Sequence, residues 1–125
     1  MGDDERNEYI YRYVSNLPWR RARRQGINPL DDGVLYVAKF HESGFGEWLA
    51  LTPAHPALAA WALNDILINT RGAADAVGAT MMDRPEWIDT FPHALTAIAT
   101  LTNNNRRLGE VFSRLDGIMK NWCLW

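Results

Sequence analysis

An apolar stripe near the C-terminus constrains this chain most: Phe91, Ala94, Ile98, Leu101, Asn105, Leu108, Phe112, Leu115, Met119 and Trp122 alternate in steps of three and four residues. Only Asn105 is polar. That spacing predicts a long amphipathic helix from about Pro92 to about Trp122, with one face laid against a partner surface. An unbroken helix of that extent would be roughly 45 Å long, against about 35 Å for a compact globule of this size. Either the helix breaks at Asn103 to Asn105, where a run of Asn lowers helix propensity and can cap a new helix, or it projects. In the first case the stripe is the core face of the last helix of a bundle. In the second it is an interface, centred on Leu108, Phe112, Leu115, Met119, Trp122 and Trp125, with Asn105 setting register.

Upstream, Asp3, Asp4 and Glu5 place negative charge where a helix N-terminus favours it, and Ile10, Tyr13, Val14 and Leu17 follow at helical spacing. A first helix is therefore expected from about Asp4 to Leu17. Pro18 starts a short basic helical piece, Trp19 to Gln25, which Gly26 stops. Val34 to Phe40 and Glu47 to Thr52 have strand character and flank a Gly-containing loop, so they predict one β-hairpin. A central helix over Ala57 to Asn69 and a small-residue helix over Ala73 to Met82 should follow. Asp83 to Pro92 reads as a connection with one helical turn after Pro85. The expected fold is α+β and helix-dominated: an N-terminal helix, one β-hairpin, then three to four helices with a long C-terminal one. At 125 residues, residues 1–125 form a single compact domain on this reading.

An apolar content of 47% excludes a disordered chain, and a net charge of -2 excludes a global basic field. The one cysteine, Cys123, forms no internal disulfide, and no stretch reaches the roughly 18 apolar residues of a membrane span. With no signal-peptide pattern either, the expected location is cytoplasmic, without a membrane partner.

His41, His55 and His93 share no metal-ligand spacing; Gly44-Phe45-Gly46 lacks the third glycine of a dinucleotide loop; no Gly-x-Ser-x-Gly elbow occurs. No catalytic residue, metal or cofactor is therefore expected. The function indicated is that of a non-enzymatic binding protein acting through apolar and aromatic surface on another protein or on a second copy, as an inhibitor or accessory subunit of a bacterial or phage assembly. The alternative is a nucleic-acid contact through Trp19, Arg20, Arg21, Arg23 and Arg24, which combine guanidinium groups with a stacking ring. Asp31, Asp32 and the acidic N-terminus lie near enough in sequence to neutralise that cluster.

Overall fold

The computed structural model describes residues 1–2, 4–91 and 97–102. Asn105, Leu108, Phe112, Leu115, Met119, Trp122 and Trp125, together with the expected break at Asn103 to Asn105, lie outside the described residues. Within them the chain holds more strand than helix: seven strands in three sheets, three short α-helices and one 3-10 turn. The helix-dominated expectation is thereby overturned. Contacts divide the chain into two compact units, one of Met1–Ile10, Glu42–Gly44 and Met81–Trp125, the other of Tyr11–His41 and Phe45–Thr80.

The second unit is built on an antiparallel sheet of β2 (Tyr11–Ser15), β3 (Gly33–Phe40) and β4 (Gly46–Ala50), with β3 in the middle. Tyr11 pairs with Val37 and Val14 with Val34, so the segment expected as the first helix is strand. Its residues explain the outcome. Ile10, Tyr11, Tyr13 and Val14 are β-branched or aromatic, and a neighbouring strand that satisfies their backbone outweighs a helical spacing four residues strong. The hairpin runs β3 and β4 do pair, Val37 opposite Leu49 and Lys39 opposite Glu47, but β3 also takes β2 as a second neighbour. Val37 and Ala38 point to opposite faces and both are buried, so the centre of this sheet is covered on both sides.

Arg12 crosses the sheet face with its guanidinium 5.6 Å from the Tyr36 ring centroid and 5.0 Å from that of Trp48. Those contacts let a charged residue sit in the middle of an aromatic face. At the start of β3, a Cβ on Gly33 would collide with the Val14 carbonyl oxygen and the Tyr13 ring. Gly33→Ala is expected to destabilise this unit by about 1–3 kcal/mol, read as a lower urea midpoint at unchanged slope.

After β4 the chain forms a 3-10 turn (Pro56–Leu58), α2 (Leu63–Ile68) and α3 (Thr70–Ala76). The continuous helix expected over Ala57 to Asn69 is broken up. Pro56 sits at the start of the 3-10 turn, where His55 Nδ1 accepts from the Ala57 amide at 3.2 Å. Asn69 leaves helical geometry, and its side-chain oxygen accepts from the Gly72 amide at 3.2 Å, so it ends α2 and caps α3. Asp65 is exposed and costs the interior nothing. Leu58, Ile66, Ala73 and Ala74 are fully buried. Thr80 then fastens the chain to the end of β3, its Oγ1 accepting from the Phe40 amide at 2.8 Å.

The first unit contains β1 (Arg6–Glu8) paired with β5 (Met82–Asp83), and β6 (Pro85–Thr90) paired with β7 (Ala97–Leu101), all antiparallel. β5 replaces the end of the expected small-residue helix, and β6 the expected loop. β7 replaces the start of the expected C-terminal helix: Ile98 and Leu101, two members of the apolar stripe, lie opposite Asp89 and Pro85. Ala97 to Leu101 alternates between half-buried and exposed, the period of a strand. Glu8, Tyr9, Ile10, Met82 and Pro85 are buried in this unit.

Candidate functional site

Two clusters of functional side chains can be built from these elements, one in each unit. The first is the basic helix α1 (Trp19–Arg24) of the second unit. Pro18, with φ of -53°, delivers the chain into the helix, and Ala22 is its only buried residue. The helix closes at Gly26, whose φ of +69° permits the Ile27 amide to reach back to the Ala22 carbonyl at 2.9 Å. Arg21, Arg23 and Arg24 lie in the last turn, where positive charge complements the helix dipole. Arg20 stacks over the Trp19 ring at 5.5 Å, and Trp19, Arg20, Arg23 and Arg24 line an open concavity of about 670 Å³. Asp31 and Asp32 form no direct ion pair with this cluster. Asp32 accepts from the Asn16 side chain at 2.7 Å and Asp31 from that of Asn28 at 2.8 Å, and among the described residues no carboxylate pairs with these four arginines.

The second cluster, in the first unit, is one that sequence reasoning missed. Asn7 and Arg84 are the non-glycine residues with positive φ among the described residues, at 61° and 48°. Asn7 sits where the β1–β5 register shifts, between Arg6 opposite Asp83 and Glu8 opposite Met82. Asn tolerates that geometry, but a long side chain such as Arg84 does so at a cost of about 1–3 kcal/mol. The Thr102 amide holds the strained segment, donating to the carbonyls of Asp83 and Arg84 at 3.1 and 3.3 Å.

That strain aims the Arg84 side chain at Asp4, eighty residues away in sequence, where Nε donates to Oδ1 at 3.0 Å. The two side chains are 34% and 45% exposed, so their ion pair contributes at most about 1 kcal/mol and does not offset the strain. A strained backbone beside a bulge makes Arg84 a candidate functional position. Asp4 engages only Nε, which leaves the terminal guanidinium nitrogens as a planar pair of donors without a partner among the described residues. Such a fork fits two oxygens of a tetrahedral oxyanion. Asp83 precedes Arg84, and Glu86, two residues after it, is exposed.

His41 and His55 make local scaffold contacts. His41 Nε2 lies 2.8 Å from Glu47 Oε1, with its ring stacked on Phe45, and His55 caps the 3-10 turn; His93 lies outside the described residues. Among the described residues no group of three or more His, Cys, Asp or Glu converges as a metal-ligand set.

Neither the β-rich fold nor the Arg84 geometry names a reaction; two comparisons place the chain as phosphatase-related. Residues 1–121 match the family described as Alkaline phosphatase PhoX, and the chain belongs to that family. A solved structure that matches is Pseudomonas fluorescens PhoX in complex with vanadate, a transition state analogue, at 41% sequence identity and a TM-score of 0.73. The match covers 86% of this chain and 21% of that one, so the chain spans about a fifth of the relative's length. No curated protein matches. Family membership overturns the non-enzymatic reading: the chain is an enzyme-related domain, not a helical inhibitor or accessory protein, and the nucleic-acid-binding module offered as the alternative falls with it.

Proposed function

We propose that this chain supplies phosphoryl-binding groups to a PhoX-type phosphatase, and that phosphate-monoester hydrolysis is the reaction it serves. The observation that carries this reading is Arg84, held at φ of 48° with Asp4 on its Nε and its terminal nitrogens without a partner among the described residues, in a chain that belongs to the PhoX family over residues 1–121. Asp4 fixes the plane of the guanidinium. The two terminal nitrogens then meet two phosphoryl oxygens and hold the charge that grows on them as the ester bond breaks, an electrostatic role that gains most from a donor already in place. Arg84 is thus a binding and charge-stabilising group, and Asp4 a positioning one.

The experiment is a calorimetric titration with vanadate, paired with an assay of p-nitrophenyl phosphate hydrolysis. Saturable vanadate binding that inorganic phosphate displaces is the expected result. Absence of both vanadate binding and turnover would refute the proposal.

A further inference from the structure

The α1 concavity is not used by the reading centred on Arg84. Its side chains combine guanidinium groups without carboxylate partners among the described residues and a large aromatic ring, Trp19, that is 57% exposed. Trp19 and Arg20 are already preorganised against each other at 5.5 Å, so the guanidinium occupies one side of the indole while much of the ring remains open. Arg23 and Arg24 line the same shallow, open concavity, so a ligand there is held by charge and ring stacking rather than by enclosure. Charge complementarity selects an anion, since three guanidiniums without carboxylate partners among the described residues line one concavity. The ring selects a flat π-system attached to that anion, because stacking on an indole rewards a base and adds little for a bare phosphate.

We propose that Trp19, Arg20, Arg23 and Arg24 form a binding site for a single nucleoside phosphate, with the base on the open part of the Trp19 ring and the phosphate between Arg23 and Arg24. The site stands on α1 alone and goes beyond the phosphoryl-binding reading of Arg84. It binds; it carries out no chemistry. Because α1 is closed by backbone bonds at Gly26 and anchored by Ala22, the arginine side chains can be changed without touching the groups that hold the helix.

The test is calorimetric titration, at low salt, of the methylene-phosphonate analogue of AMP, whose P–C bond phosphatase chemistry leaves intact. Adenosine and inorganic phosphate are titrated separately. Four proteins are compared: the parent, the triple variant Arg20→Gln/Arg23→Gln/Arg24→Gln, Trp19→Ala and Arg84→Gln, each checked for folding by circular dichroism. The analogue is expected to bind at least tenfold more tightly than phosphate or adenosine and to weaken as salt rises. The triple variant and Trp19→Ala are expected to lose at least tenfold in affinity, and Arg84→Gln to retain it. Equal binding of phosphate and the nucleotide analogue with no effect of Trp19→Ala would overturn the proposal, as would no binding at millimolar analogue. Loss in Arg84→Gln with retention in the triple variant would also overturn it, and would assign the ligand to the Arg84 site instead.

Discussion

Replacing Arg84 with glycine is expected to lower vanadate affinity by about ten- to hundredfold while changing folding stability by no more than about 1 kcal/mol. The loss follows from removing charge-assisted hydrogen bonds worth about 1.5–3 kcal/mol, at roughly 1.4 kcal/mol per tenfold in affinity. The small stability change follows from two opposing terms. Glycine takes up the φ of 48° without strain, which is a gain, and the exposed Asp4 ion pair is lost, which costs little. Arg84→Gln separates the two terms, because it discards the charge and keeps the strained geometry. It should lose vanadate affinity to a similar extent with no gain in stability. A structural role for Arg84 would reverse the pattern, with both variants falling in stability by more than about 2 kcal/mol and in affinity hardly at all.

Leu58→Ala is expected to destabilise the protein by about 3 kcal/mol, the largest stability effect foreseen. Leu58 is fully buried on a three-residue 3-10 turn that contacts α3, and a turn pinned by His55 and Pro56 has little freedom to collapse into the cavity left behind. Ile68→Ala supplies the control. Ile68 is 86% exposed at the end of α2, and its truncation should fall within about 0.5 kcal/mol. The contrast is measured by urea denaturation of both variants; near-equal midpoints would mean that the interior of the second unit is not organised around Leu58.

Particular residues show how much was legible in the sequence. The β3–β4 pairing was, because Gly-containing turn chemistry separates two runs of strand character and needs no distant partner. α1 was also visible, between Pro18 and Gly26. Ile10 to Leu17 is ambiguous in the sequence because its apolar spacing fits a helix while its β-branched and aromatic residues fit a strand, and what decides between them is β3, about twenty residues away. The apolar stripe misled for the same reason at Ile98 and Leu101, which pair with β6. Asn69 falls inside the helix that spacing predicts, but its side chain does better as a cap.

The candidate site was half legible. The arginines of α1 are a run that any reader sees, but that Asp31 and Asp32 hydrogen-bond to Asn28 and Asn16 rather than ion-pair with that run is not readable from spacing. Arg84 was not legible at all. Its signal is a backbone angle and a partner at Asp4, and neither is encoded in local spacing.

The most direct measurement is a crystal structure of this protein with vanadate bound. The expected result is a vanadate with two of its oxygens about 2.7–3.0 Å from the terminal nitrogens of Arg84, and the Asp4 carboxylate still on Nε. A vanadate seated elsewhere, or none at saturating concentration with Arg84 still engaged only by Asp4, would contradict the assignment of Arg84 as the phosphoryl-binding group.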